Sequence, residues 1–228
     1  MKKYIDYQNN KELIDGIMEL IVPSYKNAGS HISHDIEICN ELYVISSDSG
    51  EMLAFFMVGY HSIKNIACCY LGLSACRQEY KNSGFVKALY LEYARDCIKK
   101  ELEINNRIIS YWTTATPIVY HWFSKYFTNV QPDRQGNCTK EGLEMLLSIA
   151  SNKYQKAKFN YDTPFVLRNA AQQINYSDQE QVRIKQAITD LKLTVFEVYK
   201  LDETKGDRFL MFGYTPSHDR LIEITQKL

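Results

Sequence analysis

Apolar residues in the first third of the chain follow two rhythms. Leu13, Ile14, Ile17, Leu20 and Ile21 recur at steps of three and four in NKELIDGIMELIVPSY, which predicts a helix with Asn10 as its cap and Pro23 as its stop. A short strand, KYIDY, precedes it. In ELYVISSDSGEMLAFFMVGYHSI two strand-like runs flank Asp48, Ser49 and Gly50, residues suited to a hairpin turn. NIACCYLGLSAC continues the meander. Strict alternation would put Cys68, Tyr70, Gly72, Ser74 and Cys76 on one face, with Cys69, Leu71, Leu73 and Ala75 on the other.

Beyond Gly84 the helical rhythm is strongest: Phe85, Ala88, Leu91, Ala94, Ile98 and Leu102 form a stripe, with Lys87, Glu92, Arg95, Lys99 and Lys100 largely outside it. RIISYWTT then reads as a strand buried on both faces, and Pro117 opens PIVYHWFSKYF as a first-turn helix proline. Strand, helix and strand in that order imply a right-handed crossover and a parallel pair. The expected class is therefore mixed α/β. From Gln131 onward TKEGLEMLLSIASNKY and SDQEQVRIKQAITDL read as helices, the second with Ser177 and Glu180 spaced as a capping box. LTVFEVYK and RFLMFGYT close the chain as a hairpin around Glu203, Thr204, Lys205 and Gly206. The expected organisation is one domain over 1–228, with a helical insertion at 131–193 before that C-terminal hairpin.

Composition narrows the function classes. Twenty-seven basic and twenty-seven acidic side chains cancel, and like charges do not cluster, so neither a nucleic acid nor a membrane surface is an expected partner. No apolar run is long enough to span a bilayer and no export signal is visible, which places the chain in the cytoplasm. Six cysteines without a C-x-x-C pair, and five histidines without ligand spacing against them, read as reduced thiols and no metal site.

The candidate chemistry gathers at Gly84, where a strand hands over to a helix. First-turn helix amides have no intrahelical partner and carry partial positive charge, so they suit a phosphate, and glycine lets the backbone approach it. The run KNSGFV, Lys81 to Val86, with QEY before it and ISYWTTATPIVYHWFSKYF after it, resembles the GNAT superfamily of acyl-CoA-dependent N-acyltransferases. In that family the turn usually reads Arg/Gln-x-x-Gly-x-Gly/Ala. Here Lys81 replaces the arginine or glutamine, Gly84 holds the first glycine position, and Val86 stands at the second. The resemblance covers about residues 1–130 and resumes at the closing residues.

What the resemblance implies is a GNAT-like fold that binds acetyl-CoA or a longer acyl-CoA as co-substrate, without a metal. Lys81, Asn82, Ser83, Gly84, Phe85 and Val86 would hold the diphosphate. Amides around Ser74, Ala75 and Cys76 would bind the pantetheine arm where the fourth and fifth strands part. The acyl group would pass directly, without a covalent enzyme intermediate, to a primary amine of a small molecule or peptide. Counting back from Phe127, the family's acid tyrosine falls on Trp122 and a frequent asparagine on Ala115. Tyr120 is the substitute candidate, although it lies about 200° round an ideal helix from Trp122. His61 and His121 titrate in a useful range but carry no firm assignment as base, and Cys76 offers a thiol near a helix start. A GNAT-like module that holds coenzyme A without turnover, and a thioesterase-like hydrolase, stay open as alternatives.

Overall fold

The structure is a computed structural model of the 228-residue chain. It describes all residues except 25–28, 156, 172–175, 192–193 and 227–228, and the side chains of 29–31, 188, 194, 197, 218 and 224–226 are likewise outside the description. The elements run β1 (Lys2–Ile5), α1 (Lys11–Ile21), α2 (Gly29–Ile38), β2 (Glu41–Ser46), β3 (Met52–Ile63), β4 (Ile66–Cys76), α3 (Phe85–Ile104), β5 (Ile109–Thr114), α4 (Pro117–Tyr126) and β6 (Thr128–Gln131). They continue with α5 (Lys140–Lys153), β7 (Lys158–Asn160), β8 (Thr163–Arg168), α6 (Asp178–Leu191), α7 (Thr194–Val198), β9 (Arg208–Tyr214) and α8 (His218–Gln226). Among the described residues, nine strands join one mixed sheet in the order β1-β2-β3-β4-β5-β9-β8-β7, with β6 also paired to β9. The mixed α/β class and the expected order of strand, crossover helix and parallel strand are both present.

The β4–α3–β5 crossover sets the centre. α3 lays Tyr93 against Phe56 on one face of the sheet, their ring centroids 5.7 Å apart, and α4 brings Trp122 to Trp112 on the same face. α2 docks on β3 and β4 from the opposite face. That docking depends on two glycines in neighbouring strands: a Cβ on Gly72 would stand 2.6 Å from the Cys39 sulfur, and one on Gly59 would stand 2.5 Å from the Ile38 carbonyl oxygen. The second obstacle is backbone and cannot rotate away. Gly59→Ala is therefore expected to lose about 2 kcal/mol of stability through overpacking, read as a lower urea midpoint at unchanged slope.

Strict alternation along β4 fails at one point. β3 pairs Val58 with Leu71 but Phe56 with Ser74, so β4 carries one extra residue opposite Met57. A bulge of this kind inverts the side-chain faces beyond it. Tyr70 and Gly72 stay on the α2 face, whereas Ser74 and Cys76 turn to the α3 and α4 face, against the single shared face that the alternation suggested.

The C-terminal part departs further from the sequence pattern. No strand forms from LTVFEVYK: Leu193 lies outside the described residues, and Thr194–Val198 is the short helix α7. It presses Phe196 onto Phe209 with centroids 5.1 Å apart, so a short apolar run that suits a strand serves here as one helical turn, with Val195 and Phe196 buried and Val198 exposed. The closing hairpin is thus absent, and β9 instead pairs with β5, β6 and β8. Nor is 131–193 wholly helical, because the hairpin β7–β8 within it extends the main sheet. Its turn is held by the Asn160 side chain, which accepts from the Asp162 amide at 3.0 Å. No helix of the described residues is long and apolar enough to cross a membrane.

Candidate functional site

Parallel pairing between β4 and β5 covers only Cys68 with Ile109, Cys69 with Ser110 and Tyr70 with Tyr111. Beyond that point β4 stays paired to β3 as far as Cys76, and β5 to β9 as far as Thr114. The two central strands therefore part, and the β5-facing backbone groups of β4 beyond Tyr70 have no ladder partner across the gap. A cleft of about 490 Å³ opens there, lined by Ser74, Ala75 and Cys76 of β4, Lys81, Asn82 and Gly84 to Lys87 of the turn and α3, and Trp112, Val119 and Trp122. Ser83, exposed like Asn82 and Gly84, does not line the cleft.

The start of α3 is built differently from those of α1, α4 and α5. Asn10, Thr116 and Thr139 cap α1, α4 and α5 through side-chain oxygens that accept from Leu13, Val119 and Gly142 amides. Gly84, at the cap of the twenty-residue α3, has φ 86° and supplies no side-chain bond, and no acidic residue stands in the first turn. Asn82 is also left-handed, at φ 71°. A Cβ on Gly84 would meet nothing within 4 Å, so the glycine serves the backbone conformation and leaves the space before the amides open.

Charge in the cleft fits an anion. Lys81, Lys87 and Arg183 face one acid, Glu180. Glu180 sits on α6 and forms a close ion pair with Lys81, with Arg183 3.7 Å from its other oxygen. Ser177 accepts from the Glu180 amide at 3.4 Å, but the Glu180 carboxylate is given to Lys81 in place of the reciprocal capping bond. Tyr176, Glu180, Arg183 and Ile184 bring the segment before and within α6 onto the cleft. Volume, open helix start, unpaired strand edge and cationic balance together fit a diphosphate with an extended amide arm, the form of coenzyme A.

Trp122 stands in the cleft wall, edge-on to Tyr90 at 4.5 Å between centroids, and has no proton to give a thiolate. Tyr120 is not brought there. It is fully buried, its hydroxyl donates to the Pro132 carbonyl at 2.9 Å, and it borders a separate hollow with His121, Asp133 and Arg134. Burial pushes its hydroxyl above the ordinary tyrosine range, with Asp133 adding to the effect. Two positions along α4 are enough to reverse the side on which a ring emerges, and the register that brings Trp122 to the cleft takes Tyr120 away.

The sequence-level bases and nucleophile fare no better. His61 lies at the paired end of β3, opposite Cys68 and away from the parting. Burial, helped by Lys153, lowers it to about 4, and its Nε2 accepts from the Tyr111 hydroxyl at 3.1 Å. His121 is lowered by burial, Arg134 and Lys125, and its Nδ1 accepts from Arg134 at 2.8 Å. Cys76 does line the cleft, but burial raises its thiol against the opposing pull of Lys81 and Arg183, and the cleft lining holds no histidine to activate it.

No family model and no curated protein sequence matches the chain. Solved structures resemble part of it. A conserved protein of unknown function from Enterococcus faecalis V583, described as a probable N-acyltransferase, is 18% identical with a TM-score of 0.41 over 55% of this chain and 30% of its own. The GNAT family N-acetyltransferase YhbS from Escherichia coli, in complex with CoA, is 16% identical at 0.38 over 48% of this chain and 61% of its own. Aminoglycoside 6'-acetyltransferase type Ii is 15% identical at 0.39 over 60% of this chain and 90% of its own. The chain thus spans less than two thirds of the length of the first two.

Proposed function

We propose that the protein is an acyltransferase of the GNAT type, which binds an acyl-CoA in this cleft and passes its acyl group directly to a primary amine of a small molecule or peptide. The observation that carries the reading is the uncapped start of α3 facing the parting of β4 and β5. Amides of Asn82 and of Gly84 to Val86 would hold the diphosphate, with Lys81 beside them, while the Ser83 amide is taken by the Tyr80 carbonyl at 3.0 Å; the free edge at Ser74, Ala75 and Cys76 would bind the pantetheine arm. Acyl-CoA supplies an activated thioester carbonyl. The chain's part is to fix that carbonyl beside backbone donors, each typically worth about 3 kcal/mol when charge builds on the oxygen. A coenzyme A thiolate, with an ordinary thiol pKa of about 8.5, can leave without an acid in the Trp122 position. The raised Cys76 thiol favours direct transfer over an acylated enzyme. The chain is read as one domain, in which the 131–193 segment shapes the cleft through α6.

Thermal stabilisation by coenzyme A, followed by amine-dependent thiol release from acetyl-CoA across a panel of amines, tests this. Absence of both would defeat it. Trp122 favours one competing reading, a coenzyme A-holding module without turnover, which predicts stabilisation with no amine-dependent release.

Glu180 competes with a phosphate for Lys81. Glu180→Gln is expected to tighten coenzyme A binding about tenfold, close to 1.4 kcal/mol, in titration calorimetry. The gain should shrink as salt rises.

A further inference from the structure

On the opposite face of the parting strands lies a buried carboxylate that the coenzyme cleft does not use. Asp35, on α2, is 1% exposed. The Tyr70 hydroxyl of β4 donates to its Oδ1 at 3.2 Å, and the Leu73 amide, in the β4 bulge, faces it too. Its Oδ2 has no partner. Among the described residues only two other buried side-chain polar atoms share that state, and one of them is the Tyr7 hydroxyl, which lies in the field of the same carboxylate. Two unsatisfied oxygens in one interior neighbourhood mark a place for a polar guest. A guest must donate to the Asp35 oxygen, the Tyr7 hydroxyl can accept from it or donate to it, and the carboxylate selects a cation. The close fit of α2 against Gly59 and Gly72 fixes Asp35 one turn ahead of Cys39, next to the point where β4 leaves β5.

We propose that Asp35 seats the acceptor amine: a primary ammonium group donates to Asp35 Oδ2 and the Tyr7 hydroxyl, and Asp35 takes the proton that frees the nitrogen lone pair. This rests on the acyl-transfer reading. The nitrogen loses two protons in all. Asp35 receives the first; the second leaves as the carbon–nitrogen bond replaces the carbon–sulfur bond, and ends on the departing thiol. Asp35 then returns its proton to solvent. Burial raises its carboxyl to about 7, against the pull of the Tyr70 hydrogen bond, of Arg208 on β9 and of the Leu73 amide. Tyr7, Cys39, Tyr70 and Tyr154 are the other titratable groups in its field. Such a carboxyl is matched to proton transfer near neutrality.

The direct test is carbon-13 carboxyl NMR of Asp35, its signal identified by loss in Asp35→Asn, titrated with and without n-propylammonium chloride. The expected result is a midpoint that falls by about one pH unit or more when the ammonium binds. A midpoint indifferent to ammonium would overturn the proposal and leave the space to an ordered water. Because this readout needs no acyl-CoA, it separates failure of the amine site from failure of the coenzyme reading, which shows instead as absent coenzyme A binding. With acetyl-CoA and propylamine, Asp35→Asn should lower kcat/KM for the amine about a hundredfold or more while coenzyme A affinity holds. Tyr70→Phe removes a donor to the charged carboxylate and should move the acidic limb of the rate profile to higher pH. An unchanged limb in that variant, or an undiminished rate in Asp35→Asn, would also defeat the proposal.

Discussion

Asp35→Asn is expected to stabilise the protein at about pH 8, relative to its effect at about pH 4, by on the order of 4 kcal/mol. The carboxyl is raised from the usual 3.8 to about 7 in the folded chain, chiefly by burial. Between those values the folded state keeps a proton that the unfolded state has lost. Its contribution to stability is therefore whole below the unfolded value and disappears as pH rises through the folded one. About three pH units at about 1.4 kcal/mol each give the size. Asparagine keeps the shape and an acceptor for Tyr70 but does not titrate, so the variant loses this dependence. Other groups act in the same range. Glu203, raised by burial to about 7, works in the same direction, and His61, lowered to about 4, works oppositely, its contribution being lost as pH falls. Both cancel when variant and parent are compared at each pH. Urea unfolding of the two proteins at the two pH values checks it. An equal difference at both would mean that the carboxyl is solvated, and would remove Asp35 as a group tuned by burial.

A charged carboxylate held in the interior at such a cost is a strain on the fold, and unsatisfied polar groups of this kind concentrate where a ligand completes them. On the proposed reading the two faces of the sheet divide the work. α3 and α4 frame a cationic, aromatic-walled cleft on one side, and α2 places one acid at the other side of the same gap. The bulge in β4 links them, because it turns Ser74 and Cys76 into the cleft and leaves Tyr70 with Asp35.

The sequence made the centre of this arrangement readable and its flanks less so. α3 and β5 were legible because a long helical stripe and a doubly apolar strand each have one good solution, and Gly84 marks the junction between them. Asn10 announced its helix through cap chemistry that is local by nature. The β4 bulge was hidden, since alternation runs on through Leu71, Gly72, Leu73 and Ser74 and only pairing with β3 reveals the extra residue. LTVFEVYK misled for a related reason: a buried apolar run satisfies either a strand or a helical turn, and packing of Phe196 against Phe209 decided it. TPFVLR carried a strand signal in its β-branched and aromatic residues, masked by the helices on either side. Tyr120 and Trp122 differ only in helix register, which spacing from Phe127 cannot fix. Asp35 gave no signal at all, because its meaning comes from Tyr70 and Tyr7, far away in sequence.

Gly84→Ala should weaken coenzyme A binding about a hundredfold while costing the fold only about 1 kcal/mol. The small cost is conformational: φ is 86° and an added Cβ meets nothing within 4 Å, so the strain of a left-handed alanine is all that the unliganded protein feels. The larger loss arises because the methyl group stands before the free amides at the start of α3, where a phosphate oxygen must come within hydrogen-bonding distance. Losing one or two charge-assisted bonds of about 1.5–3 kcal/mol each gives the expected factor. Gly50 is an internal control, for it has φ 90° and equally open space, but lies in the β2–β3 hairpin. Gly50→Ala should match Gly84→Ala in thermal unfolding and leave coenzyme A binding intact. If calorimetry finds the two variants alike in affinity as well, the turn at Gly84 holds no phosphate, and the cleft beside it must be assigned to some other ligand.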